Sequence, residues 1–547
     1  MEIHRLAKPL RLAALALAGA VLIGHALHFG FLSDDAYISF VFARNFAEHG
    51  ELVFNPGGEP VEGYTNFLWT VLLGALMWVG LPPQVSSIAL GIGFALATLV
   101  VTFRLSRAIA GGPSLWDALA PALLAASAGF ACWATGGLET QMFTFTVALS
   151  LYLYTRADEN PAALSWLGPA LAAAAMTRPE GLLVAGVLGL HRLARNLAFG
   201  RRLVRRAQEL YCVGGFAALW APYFAWRWWY YGHPFPNTYY VKASGEPPDG
   251  YREELWSNGL YYVGQWAQES GALFALPLVV IGLLVARPRS PRLVFGTAAM
   301  ALAAAYLAYT VRVGGDFMGL YRFVMPVTVI AAVGAALGLR AAAEWISRRR
   351  SRPVVGAALA LALVAGHAAH QFPRSVRAME EGNWAADRGI DTPSFLDVYA
   401  RDRRVIGKHM EPCFEEDDFS IVGGAGAKPY YGRIRGIDVF GLVSERIAHE
   451  VPPTNPRAGH NKWGPNELLL EHDPEFVFSC YSLHEQPRSP QLNCRPGFWR
   501  RNGYEMVTLH IPGLVERGEY YTFWVREDRL ERLDCPGRVD GPDEGHP

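Results

Sequence analysis

The stretch FLSDDAYISF, residues 31–40, sets two adjacent carboxylates, Asp34 and Asp35, directly after an apolar run from Leu12 to Leu32. Such a run is long enough to cross a bilayer core, which takes roughly 20 residues. Arg5, Lys8 and Arg11 precede it, and no convincing small-x-small cleavage pattern follows it. It therefore reads as an uncleaved first membrane helix with its positive flank in the cytoplasm. Ser33 can N-cap a second helix that runs to about His49, where Gly50 ends it. Acids in the first turn of that helix complement its dipole by about 0.3–1 kcal/mol each. Capping does not explain why two charges sit against the hydrocarbon boundary, where ionisable groups are costly and usually functional.

Working outward, the chain has 547 residues, 51% of them hydrophobic, and a formal net charge of +0. No bulk basic field argues for nucleic acid, and no Walker or GxGxxG motif argues for ATP or a dinucleotide. Apolar runs recur to residue 371, and arginines orient them: Arg104 and Arg107; Arg192, Arg195, Arg201, Arg202, Arg205 and Arg206; Arg287, Arg289 and Arg292; Arg340, Arg348, Arg349, Arg350 and Arg352. All should be cytoplasmic. YTNFLWTVLLGALMWVGL (64–81) looks like a span, but crossing there would put Arg104 and Arg107 on the wrong side. It reads instead as a Trp- and Tyr-rich helix in or re-entering the outer leaflet. The expected spans are 12–32, 86–108, 115–134, 140–156, 162–177, 181–196, 209–228, 271–286, 293–312, 324–340 and 353–371, about eleven. The fold class is a polytopic α-helical membrane protein, residues 1–371, with the N-terminus inside and a first external loop over 32–85. Residues 372–547 form an external C-terminal α/β domain, a candidate for carbohydrate binding.

Cysteine usage agrees with this topology. Cys132 and Cys212 lie in apolar runs, whereas Cys413, Cys480, Cys494 and Cys535 all lie in the distal tract. Four cysteines there fit two disulfides in an oxidising compartment, with three connectivities open. Strand-like runs are FSIVG (419–423), EFVFSC (475–480), EMVTLHI (505–511) and YYTFWV (520–525), with loop and helix over 460–474. Tyr430, Tyr431, Trp463 and Trp499 are aromatics suited either to stacking on sugars or to core packing. The last residues, CPGRVDGPDEGHP, read as a disordered tail after Cys535.

The loops on the outer side carry most of the unusual polar residues. EGYTN (62–66) has Glu62, Tyr64 and Asn66, and GGLET (136–140) has Glu139. TRPEG (177–181) has Arg178 and Glu180. HPFPNTYYVK (233–242) has His233, Asn237, Tyr239 and Lys242, and GGDFMGLYRF (314–323) has Asp316 and Arg322. Singly each is a turn or a solvated charge; together they face one aqueous space.

With these motifs in order, and with GGAGAKPYYGRIRGIDVFGL (423–442) in the distal tract, the chain resembles the GT-C superfamily of integral-membrane glycosyltransferases. Within it, the chain is similar to the terminal β-(1→2)-arabinofuranosyltransferases of mycobacteria and their bacterial relatives. The resemblance implies a polyprenyl-phosphate sugar donor, its sugar arabinofuranose or another pentose, and a cell-envelope glycan acceptor. It implies transfer at the outer face of the cytoplasmic membrane, with the acidic first loop at the reaction centre. Asp34 is then the expected base, with Asp35 orienting the sugar or a metal. Arg178, Lys242 and Arg322 are the expected partners of the lipid phosphate, and Arg44 is a weaker one. A divalent cation (Mg²⁺, Mn²⁺ or Ca²⁺) on Asp34 and Asp35, with Glu139 and Asp316 as further oxygens, is as compatible with the sequence as a metal-free site. Two rival classes remain, a transporter of lipid-linked glycans and a membrane-anchored glycan-binding protein. The absence of a clear internal repeat and the number of spans weigh against them.

Overall fold

The computed structural model describes residues 2–199, 207–284, 290–350, 353–380, 388–487, 492–494 and 496–539. Arg201, Arg202, Arg205, Arg206, Arg287, Arg289 and Arg352 of the basic clusters, and the tail beyond 539, lie outside them. Helix α1 (Glu2–Phe29) ends at Gly30, whose φ of +48° suits glycine. Helix α2 (Asp34–His49) is separate and closes on Gly50 in the left-handed region. Ser33 has the extended backbone of an N-cap, but its hydroxyl donates to the Gly136 carbonyl (3.1 Å) instead of accepting from α2. The expected cap is thus diverted into a neighbouring turn.

The run 64–81 yields α3 (Phe67–Trp78), 12 residues long. At 1.5 Å per residue it reaches about 18 Å, short of a core about 30 Å thick. The helices that follow are α4 (Pro83–Ala110), α5 (Leu119–Ala126), α6 (Ala128–Cys132), α7 (Thr140–Arg156), α8 (Pro161–Thr177), α9 (Glu180–Ala198), α10 (Ala207–Tyr231), α11 (Asn237–Ala243), α12 (Tyr251–Glu269), α13 (Ala272–Leu284), α14 (Pro291–Arg312), α15 (Met325–Arg350) and α16 (Pro353–Ala378). Among the described residues five helices are long and apolar enough to cross a membrane, or six if α12 and α13, bent by 80°, make one span.

That is fewer than the eleven expected, and the reasons are local. The run 115–134 breaks at Ser127, which is extended. There the Gln371 side chain accepts the Ala128 N–H (3.1 Å). Gly129 meets the Leu320 carbonyl so closely that a Cβ would lie 2.4 Å from it. Helix α13 has 13 described residues and meets α12 at the 80° bend. Helices α7 and α8 have 17 each, the lower limit for crossing. The outward surface is apolar, with Trp78, Trp229, Phe274 and Leu361 exposed. Basic residues at helix ends are held by acids in the turns. Arg11 donates to Asp117 (2.6 Å) and to the Ser114 carbonyl (3.0 Å), and Arg192 and Arg195 both reach Asp158, at 2.8 and 2.7 Å.

The distal tract begins with α17 (Pro393–Met410) and builds a six-stranded mixed sheet. Its elements are β1 (Phe419–Val422), α18 (Ala427–Gly432), β2 (Arg435–Asp438), α19 (Glu445–Glu450), β3 (Phe476–His484), β4 (Tyr504–His510), β5 (Tyr520–Arg526) and β6 (Arg538–Val539), in the order β2-β1-β3-β5-β4-β6. Strands β2, β1 and β3 run parallel; β3, β5, β4 and β6 run antiparallel. Strand β2 was not evident because RGID has no apolar run, and β6 pairs part of the stretch expected to be disordered. Trp499 is fully buried against Tyr504 and cannot stack on a sugar. Trp463 is 44% exposed, and Tyr430 and Tyr431 pack on Tyr37.

Of the three connectivities, the structure forms Cys413–Cys535 and Cys480–Cys494; Cys132 and Cys212 stay free. Cys413–Cys535 joins residues 122 apart, so it restricts the unfolded chain most. Replacing both by serine is expected to destabilise the distal domain by about 2–5 kcal/mol. The measurement is its denaturant midpoint by tryptophan fluorescence, with the shorter Cys480–Cys494 loop showing a smaller shift.

Candidate active site

Helix α2 starts on the turn 136–137, where Gly137 has φ +81° and a Cβ would lie 2.8 Å from that of Ala36. Two consecutive acids there face different ways, about 100° apart. Asp34 turns to the distal domain, where its Oδ1 accepts the Ala427 N–H at the start of α18 (2.8 Å). Gly426 has room for no side chain, since a Cβ would sit 2.2 Å from the Asp34 carbonyl oxygen. Burial pushes the Asp34 pKa up, while the Ala427 amide and the Arg403 and Lys428 charges pull it down.

Asp35 turns to the membrane half. Its Oδ2 lies 3.9 Å from Arg322, and its side chain is 36% accessible although protein surrounds it on most sides. It therefore lines a recess. Burial pushes its pKa up to about 6, against the pull of Arg322. Arg322 comes from a loop in which Leu320 and Tyr321 both have positive φ, 53° and 57°. Such backbone costs about 1–3 kcal/mol per residue and concentrates at functional loops. Arg322 then folds back on Asp316 (2.5 Å) and lies over the Trp133 ring at 5.6 Å.

The TRPEG corner supplies the next group. Pro179 holds Arg178 in extended backbone between α8 and α9. Arg178 grips Glu139 (2.7 Å) and Glu180 (3.0 and 3.2 Å). Asn66 donates to Glu139 (2.8 Å), and Ser39 and Thr70 donate to Asn66. Lys242, on α11, is exposed to the recess and feels Asp316, Arg322, Arg178 and Glu180. Among the described residues it has no hydrogen bond or ion pair. Burial lowers its pKa, with Asp316 opposing. The structure thus gathers Asp35, Glu139, Arg178, Glu180, Lys242, Asp316 and Arg322, with Asn66 behind them.

Other expected residues have different work. Glu62 pairs with Arg227 (2.9 Å), both buried. Tyr64 meets the Tyr231 hydroxyl (3.0 Å). Asn237 donates to the Gly441 and Leu442 carbonyls (2.7 and 3.0 Å), clamping α11 to the distal domain. Arg44 donates to the Tyr430 carbonyl (2.6 Å), away from the recess. Tyr239 is 46% exposed on Phe235, and His233 is drawn to Glu445 (2.5 Å). No three of Asp34, Asp35, Glu139 and Asp316 bring their carboxylate oxygens within 4.8 Å of one another. Arg403 and Lys428 beside Asp34, and Arg227 beneath Glu62, were not expected. Arg227 had a signal, a lone cation in the aromatic run FAWRWWYY.

No family model matches the chain. It is 29% identical over 365 residues to the terminal β-(1→2)-arabinofuranosyltransferase of Mycobacterium tuberculosis, a match covering 60% of this chain and 56% of that protein. The chain therefore spans little more than half the length of that curated relative. Two crystal structures of ArnT from Cupriavidus metallidurans share the fold. The one bound to undecaprenyl phosphate has a TM-score of 0.59 at 12% identity, covering 94% of this chain and 97% of that one. The apo form has a TM-score of 0.58 at 12% identity, covering 95% and 98%. The architecture read from the sequence, a helical half rich in apolar helices with a C-terminal sheet domain, is that of the chain, and its fold is shared with ArnT.

Proposed function

We propose that the chain is a glycosyltransferase that takes a sugar, arabinofuranose or another pentose, from a polyprenyl phosphate and passes it to a cell-envelope glycan. It would work at the outer face of the cytoplasmic membrane, with the N-terminus inside, residues 1–371 in and on the bilayer and residues 372–547 outside. The observation that carries this is the recess itself: an accessible carboxylate with its pKa near 6 and an unpaired ammonium, set at one end of an apolar bundle. The arabinofuranosyltransferase relative and the undecaprenyl phosphate held by ArnT support a lipid-phosphate sugar as donor.

The roles follow from what each group already holds. Arg178 is saturated by two carboxylates, so it shapes the wall. Lys242 and the remaining face of Arg322 are the cations left to meet a lipid phosphate and stabilise the charge it gains on leaving. Asp35, with its raised pKa, suits proton removal from the acceptor hydroxyl. Asp34, expected from the sequence as base, is bound to the Ala427 amide and suits holding the distal domain over the recess.

Purified protein given a polyprenyl-phosphate pentose should release free polyprenyl phosphate only when an acceptor glycan is present. Movement of the lipid-linked sugar across a vesicle without bond cleavage would instead favour a transporter. Lys242→Met is expected to raise the donor KM by about 10-fold or more, the loss of a charge-assisted contact worth about 1.5–3 kcal/mol, with the acceptor KM little changed.

A further inference from the structure

The loop after α10 meets the distal domain at three side chains outside the recess. His233 precedes α11, while Glu445 and His449 stand four residues apart on α19 and so share a face. His233 Nε2 is 2.5 Å from Glu445 Oε1, and the two imidazole centroids are 4.6 Å apart. One ligand atom from each residue lies within 4.8 Å of the others, the one such group of His, Cys, Asp or Glu among the described residues. His449 Nε2 is buried without a hydrogen-bond partner, an uncommon state for a buried ring nitrogen.

We propose that His233, Glu445 and His449 bind a divalent transition metal, Zn²⁺ by preference, which fastens the loop leading into α11, the helix of Lys242, to the distal domain. Two imidazoles and a carboxylate are an ordinary zinc donor set with a fourth position left for water. Mg²⁺ and Ca²⁺ favour all-oxygen sites. Tetrahedral ligation at about 2.0–2.1 Å brings donor atoms to about 3.3 Å from one another, a closure that side-chain rotation supplies. His233 and Glu445 are 36% and 43% exposed, which gives them that freedom and gives the ion a way in. A plain His233–Glu445 ion pair would leave the orphaned His449 nitrogen unexplained.

The test uses the full chain in detergent, stripped with a chelator and titrated with Co²⁺ as the probe. Expected are about one bound equivalent, the visible bands of four-coordinate Co²⁺, their loss on adding Zn²⁺, and a raised thermal midpoint. His233→Ala and His449→Ala should each weaken binding by more than 10-fold, since losing even an outer partner of a ligand costs about 10–100-fold. Glu445→Gln can still hydrogen-bond His233, so it should fold as the parent does and yet lose affinity. Equal Co²⁺ binding by the parent and the His233→Ala/His449→Ala double variant would overturn the proposal. So would an unaltered affinity in Glu445→Gln.

Discussion

Asp35→Asn is expected to lower kcat by about 10²–10⁴-fold while leaving the thermal midpoint unchanged or raised. The two halves of this expectation share one cause. Burial raises the Asp35 pKa from 3.8 to about 6, so the native fold favours the protonated acid over the carboxylate. Its contribution to stability therefore falls as pH rises from about 4 through about 6, and at neutral pH the fold bears an unfavourable charge. Asparagine is nearly the same shape and removes that charge. A carboxylate kept for structure would behave oppositely, since its loss would destabilise. The pH profile adds a second readout. If the ionised form takes the acceptor proton, kcat/KM of the parent should climb about tenfold per pH unit below about 6 and level above it. Asp35→Asn should lose that limb.

Asp34→Asn is the control. Its amide oxygen can still accept the Ala427 N–H, so docking of α18 should survive and activity should fall far less. Asp34→Ala, which removes the acceptor, should weaken the hold on the distal domain. The reverse ranking, with Asp34→Asn dead and Asp35→Asn active, would return the base to Asp34 and sink the assignment to Asp35.

Those two acids mark the boundary of what the chain's sequence makes legible. The sites that hold the recess were visible, because each lies in a short polar loop between apolar runs. Glu139, Arg178, Glu180, Lys242, Asp316 and Arg322 do come together. Which acid does which task was not visible, because Asp34 and Asp35 are equivalent until Gly426 and Ala427, nearly 400 residues away, arrive against one of them. The same holds for His233, whose partners Glu445 and His449 come from the distal domain. The breaks within apolar runs were hidden for a different reason. In the run 115–134, Ser127-Ala128-Gly129 looks as apolar and small as its neighbours, and only the tertiary contacts from Gln371 and Leu320 reveal the break. Strands of alternating or continuous apolar character, such as β3 and β5, were read correctly, whereas β2 draws its place from pairing with β1 rather than from its own residues.

Arg178→Met is expected to destabilise the protein by about 3–5 kcal/mol, the usual consequence of removing one partner from a buried ion cluster. Among the described residues Arg178 is the one cation in contact with Glu139 and Glu180, each about 5% exposed, and methionine would leave both carboxylates without it. Lysine is a poor substitute, because a single ammonium cannot reproduce a planar fork that reaches two carboxylates at once; Arg178→Lys should recover only part of the loss. The triple variant Arg178→Met/Glu139→Gln/Glu180→Gln separates stability from function. Replacing the whole cluster with uncharged groups of similar volume removes the unpaired buried charges that make the single variant costly, so its thermal midpoint should recover toward that of the parent. If transfer returned with it, the cluster would be a device of the fold alone. The recess geometry argues otherwise: Glu180 and Arg178 both act on Lys242 across the recess, so removing their charges changes the field that a lipid phosphate would enter. The stable triple variant should therefore still transfer sugar slowly, with the defect chiefly in the donor KM.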